Sequence, residues 1–209
     1  MTRLGLVVRG WGGALAGLLA GVLLFGLPGG GSDSAGAGPG FAGSVLPPRT
    51  AAPDVVLHDE RGRAVRLGAL RGRPYVVAFL SAICRDTCPV TAQTIRLALD
   101  DLRRDVPAFA IAVDPPQDTR ANARRFLVQQ HVLGRLRFLT GSSAQLAPAW
   151  RGFGVQPVVP STPHQARIVL VDAQGRQRVG YFTDTATPED LAHDLRLLEA
   201  EVTGRSGRW

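Results

Sequence analysis

The chain contains no lysine, so all 24 of its basic residues are arginine. That absence excludes a lysine Schiff base and a P-loop lysine. Cysteine is nearly as scarce, with two in 209 residues, too few for a disulfide scaffold. None is needed: a folded part of about 150 residues buries roughly two-thirds of the surface its unfolded chain exposes. Acidic residues number 17, leaving a formal charge of +7. A basic balance raises nucleic acid as a partner. The arginines are scattered, however, and none of the nucleic-acid motif signatures occurs, so no nucleic-acid partner is expected. Internal repeats are also lacking.

What is present divides the chain in two. Arg3 and Arg9 precede eighteen uncharged residues, 10–27, which fits a positive region followed by an apolar export segment. That length is at the short limit for crossing a bilayer, and Ala35-Gly36-Ala37 offers a small-residue cleavage site. The expectation is a signal peptide or signal anchor over 1–28, tied to the membrane if it is not cleaved, and a flexible linker over 29–50. A folded domain then runs over 51–203 and a tail over 204–209.

Within that domain short apolar runs alternate with turn signals. Residues 54–58 and 64–67 flank Glu60-Arg61-Gly62 as a small hairpin. The unbroken apolar run at 75–80 predicts a central strand covered on both faces. Pro89 opens a helical period to 104, and 108–113 is the next buried strand. Asp118 or Thr119 can cap a helix to about 130, and Ser142 or Ser143 another to about 151. Residues 167–171 and 178–182 pair across Ala173-Gln174-Gly175, and Thr187 starts a last helix ending near Gly204. This order predicts an α/β sandwich. Trp150, Phe153 and Phe126 read as core.

Cys84 falls just past the central strand, and Cys88 falls just before the helix expected from Pro89. At that place backbone N–H groups and the helix dipole favour a thiolate, and Arg85 acts in the same direction, so both sulfurs are expected to be acidic. A purely structural disulfide closing so short a loop would stabilise weakly. A functional pair is the stronger reading.

The same residues resemble the Sco/SenC family, copper-binding assembly factors of respiratory oxidases. The resemblance rests on Cys84-Arg85-Asp86-Thr87-Cys88-Pro89, on Val113-Asp114-Pro115-Pro116-Gln117-Asp118-Thr119, and on His164 ahead of Ile168-Val169-Leu170-Val171 and Asp172-Ala173-Gln174-Gly175. It covers residues 41 to about 202, including the approach Phe41-Ala42-Gly43 and Leu46-Pro47-Pro48. It implies a thioredoxin-like fold of the peroxiredoxin-like variant with an N-terminal hairpin extension. It further implies copper, Cu(I) or Cu(II), held by Cys84, Cys88 and His164 and delivered to the copper-centre subunit of a terminal oxidase on the extracytoplasmic side. The chain departs from the family at Arg85, where proline is usual, at Ser81-Ala82-Ile83, and at Pro163, where aspartate usually precedes the histidine.

Two thiolates and an imidazole form a soft set that suits copper better than hard cations. Zinc is the main competitor, although three protein ligands would leave its fourth position open. Met1 is the only methionine, which excludes a methionine-rich metal site. His58, His131 and His193 read as solvated polar positions. Asp86 and Asp114 are candidates for supporting the site or touching a partner, while Asp118 reads as a helix cap. The alternative function is a thiol–disulfide oxidoreductase, with Cys84 and Cys88 as a redox-active pair that reduces the metal-site cysteines of a partner; it does not require His164. A thiol peroxidase fits poorly, because Val77 stands where such enzymes carry proline.

Overall fold

The structure is a computed structural model that describes residues 40–102, 104–158 and 167–206. In chain order the strands are β1 (Ser44–Val45), β2 (Val56–His58), β3 (Ala64–Arg66), β4 (Tyr75–Leu80), β5 (Ala108–Ala112), β6 (Arg137–Leu139), β7 (Arg167–Val171) and β8 (Gln177–Phe182). The helices are α1 (Thr87–Leu102), α2 (Arg120–Gln129), α3 (Ser143–Phe153) and α4 (Pro188–Ser206). A single 3₁₀ turn, Leu67–Leu70, follows β3.

Six strands form one sheet in the order β1-β8-β7-β4-β5-β6. The pairs β4–β5 and β5–β6 are parallel, while β4–β7, β7–β8 and β1–β8 are antiparallel. Every residue of β4 and of β5 is buried, which is what two uninterrupted apolar runs require at the middle of a covered sheet. Burying each large side chain of such a strand contributes about 2 kcal/mol. The hairpin β2–β3 lies outside the main sheet and is tied to it where His58 and Thr140 exchange backbone hydrogen bonds of 3.1 and 2.7 Å. The chain is therefore the α/β, thioredoxin-like sandwich with an N-terminal hairpin extension that the sequence predicts.

Three boundaries move. The fold begins before residue 51: Ser44 and Val45 pair with Gly180 and Val179, and the buried Asp194 carboxylate accepts the N–H groups of Ala42 (2.7 Å) and Gly43 (3.0 Å). Gly43 reads as a flexible residue by composition, yet it serves close approach. A Cβ there would stand 2.5 Å from both Val179 and the Tyr181 ring. The expected linker is thus replaced by ordered structure from residue 40, and the export segment falls on residues outside those described.

The second shift is at α1, which starts at Thr87, so Cys88 sits inside its first turn and Pro89 follows it. Proline is accommodated because the first N–H groups of a helix have no intrahelical partner. Third, α4 continues to Ser206, past the boundary expected at 203. Among the described residues no helix is long and apolar enough to cross a membrane.

Candidate functional site

Strand β4 ends at Leu80, and the next six residues carry the chain into α1. The Cys84 N–H donates to the Ser81 carbonyl (3.3 Å), turning the chain so that Cys84 remains partly open to solvent. Cys88 is fully buried, and the Ser81 N–H donates to its Sγ at 3.4 Å. Both cysteines are free thiols.

The two sulfurs are not equivalent. The Cys88 thiol donates a hydrogen bond to Cys84, which is the main reason the Cys84 pKa is lowered to about 5, against the upward push of burial. The backbone N–H groups of Asp86 and Cys88 also donate to it, and Thr87 Oγ1 lies 3.9 Å away. Cys88 is displaced the other way, first because it is the donor to Cys84 and second because it is buried. The expectation that both sulfurs would be acidic therefore holds for Cys84 alone. A helix N-terminus favours a thiolate, but one proton between two neighbouring sulfurs lets only one of them ionise easily.

Asp118 is not the cap of α2. Thr119 takes that role, its hydroxyl accepting the Asn122 N–H at 3.2 Å. The Asp118 carboxylate is 2% exposed and joins two loops. Its Oδ1 accepts the Ala82 N–H (2.6 Å) and the Ser81 hydroxyl (3.2 Å), and its Oδ2 accepts the N–H groups of Val113 (3.1 Å) and Asp114 (2.8 Å). Burial raises its pKa from the ordinary value while these donors pull it down. Asp118 thereby holds the turn that presents Cys84 against the end of β5. Asp86 and Asp114 contribute through their backbone, Asp86 by donating to Cys84 and Asp114 by donating to Asp118.

His164 lies outside the described residues. Both ends of its segment are described. The Val158 N–H donates to the Val113 carbonyl (2.9 Å), and the Val113 N–H donates to the Leu80 carbonyl (3.2 Å) at the start of the cysteine turn. At the other end, β7 begins with Arg167, and its next residue, Ile168, pairs with Ala78 of β4. Val158 and Arg167 thus both lie towards the end of the sheet that carries Cys84.

The other histidines serve elsewhere. His193 bonds to the Gly40 carbonyl at 2.6 Å, His58 lies on the hairpin, and His131 is exposed with φ of 53°. Among the described residues no group of three His, Cys, Asp or Glu side chains converges.

A cysteine pair bridging the end of a central strand and the first turn of the following helix, on this sheet order, defines a thioredoxin-like thiol protein. Residues 47–199 match the SCO1/SenC family, and the chain belongs to that family. It is similar to the copper-bound ScoI of Bradyrhizobium japonicum, with 29% identity, coverage of 71% of this chain and 98% of that one, and a TM-score of 0.57. It shares its fold with the copper-bound ScoI of Arabidopsis thaliana (21% identity, 73% and 99% coverage, TM-score 0.64). The same fold occurs in BsSco, described as a member of the Sco family of cytochrome c oxidase assembly proteins with a disulfide switch (24% identity, 72% and 94% coverage, TM-score 0.63).

Proposed function

We propose that the chain is a copper carrier that works on the extracytoplasmic side and passes copper to the copper centre of a respiratory terminal oxidase. Cys84, Cys88 and His164 are its ligands. The observation that carries this reading is the pair of free thiols, Cys84 partly open and Cys88 buried, at the sheet end near which Val158 and Arg167 lie. The donor set fits: two sulfurs and an imidazole are soft, low-coordinate ligands suited to copper and poorly matched to hard cations. Relatives described as copper-bound and as oxidase assembly proteins support the same cargo and the same destination. Export by the segment 1–28, as signal peptide or anchor, with 29–39 as a tether, would put the site outside the cytoplasm.

Metal binding requires thiolates, so loading releases the proton that Cys88 holds. Ligand exchange with an acceptor would then begin at Cys84, the sulfur open to solvent. A second reading, thiol–disulfide exchange, is favoured by the inequality of the sulfurs: an exposed acidic Cys84 is the attacking thiol and a buried Cys88 the resolving one.

Copper titration of the reduced full chain separates the two. Tight one-to-one binding is expected in the native protein, abolished in Cys84→Ser and weakened at least about tenfold, some 1.4 kcal/mol, in His164→Ala. His164→Ala is also expected to retain disulfide exchange. Absence of copper binding in the native chain would overturn the carrier reading, and unchanged binding in His164→Ala would remove that ligand.

A further inference from the structure

Residues 119–171 contain seven arginines and no aspartate or glutamate. Three of them, Arg120, Arg124 and Arg125, lie in the first two turns of α2. Arg120, the first residue of α2, opposes the helix dipole, so the start of this helix breaks a local rule. Several other arginines are neutralised: Arg63 and Arg137 by Asp59, Arg96 and Arg135 by Asp100, Arg176 and Arg178 by Asp172. Among the described residues, no carboxylate forms an ion pair with Arg85 or Arg125. Sites that violate a local preference without internal compensation are where function is to be sought.

Both arginines line one groove, of about 410 Å³, beside Cys84. One wall is the cysteine turn, with Arg85 and the exposed Ile83. The other is the face of α2 on which Asn122, Arg125 and Gln129 recur at helical spacing, with the buried Phe126 beneath. The groove therefore offers two uncompensated guanidinium groups, an apolar contact and neutral amides, and it opens on the reactive sulfur.

We propose that this groove docks an acidic, extended segment of the partner polypeptide. Its carboxylates lie against Arg85 and Arg125, and its accepting cysteine is brought to Cys84. The inference rests on the reading of Cys84 as the atom that meets the partner, and it names the chemistry by which that partner is chosen. Complementary charge of this kind raises the rate of productive encounter and rejects partners of like sign.

The test uses the reduced, metal-free full chain and short cysteine peptides activated as 2-pyridyl disulfides, flanked by glutamate, lysine or serine. The Cys84 thiolate attacks the peptide sulfur. A Cys84–peptide disulfide forms as the peptide–pyridyl disulfide breaks, and the electron pair departs on 2-thiopyridone, whose absorbance reports the rate. No other oxidant or reductant is required. The glutamate peptide is expected to react faster than the lysine peptide by on the order of tenfold at low salt, and the difference should shrink at high salt.

Arg125→Glu is expected to abolish or reverse that preference. Arg73→Glu makes the same change in net charge at the opposite end of β4 and is expected to leave the preference intact. The serine peptide should react alike with all three proteins, which shows that the variants are folded and Cys84 is competent. Equal rates for the two charged peptides, or equal losses in Arg125→Glu and Arg73→Glu, would overturn the proposal. Copper takes no part in the assay, so its outcome is independent of the copper titration.

Discussion

The proton held between Cys84 and Cys88 sets the order in which the two sulfurs react. In the metal-free protein, alkylation of Cys84 should rise through a midpoint near pH 5 and stay level above it, while Cys88 remains unreactive at neutral pH. Because the Cys88 thiol is the largest influence on Cys84, Cys88→Ala should move that midpoint upward by a unit or more, each unit being about 1.4 kcal/mol. A midpoint unchanged in Cys88→Ala, followed by iodoacetamide kinetics against pH, would show that backbone donors alone set the acidity. The pairing of these cysteines is legible in the sequence, because an apolar strand and a helical period bracket them. Their inequality is not legible, since it depends on which sulfur is buried. Asp118 is hidden for a different reason. Its partners are mostly backbone N–H groups, one of them 36 residues away, and no side-chain pattern records them.

At the scale of the element, strands and helices whose apolar spacing is regular appear where the sequence predicts them. Strand β1 escapes such a reading because its context is rich in glycine and proline. What creates it is contact: Gly43 fits under Tyr181, whose hydroxyl donates to Asp194, and Asp194 in turn takes the two backbone N–H groups of the incoming chain. Gly43→Val is expected to break this clamp at a cost of about 1–3 kcal/mol, the usual range for overpacking. It should lower the urea midpoint and expose the segment 40–46 to proteolysis. Native stability and protection in that variant would mean that β1 adds nothing to the fold. The arginine-rich α2 is the converse case. Its helical period is plain, but its purpose depends on the cysteine turn beside it.

For the molecule as a whole, two buried carboxylates shape the response to acid. Burial pushes Asp59 and Asp172 up, yet their N–H and guanidinium partners more than offset it and leave both below the ordinary carboxylate value. A group whose pKa is lower folded than unfolded stabilises the fold above its unfolded value, about 3.9, and loses that contribution as the pH falls through the folded value. Stability should therefore be level near neutrality and decline below about pH 4. At the alkaline end, burial raises Tyr75 and Tyr181, so stability present below about pH 10 should fall above it. Urea midpoints across this range test both arms, and Asp172→Asn should flatten the acid one while lowering the neutral plateau.

Val113 is the residue that ties the cysteine turn to Val158. Its N–H reaches the carbonyl that opens the cysteine turn and the carboxylate that steadies it, and its own carbonyl holds Val158, where the other segment departs. A single peg with two cords behaves differently from two separate pegs. The spacing of Leu80, Asp118 and Val158 is fixed by covalent geometry and three hydrogen bonds of 3.2, 3.1 and 2.9 Å, so these three points of the fold cannot drift independently of one another.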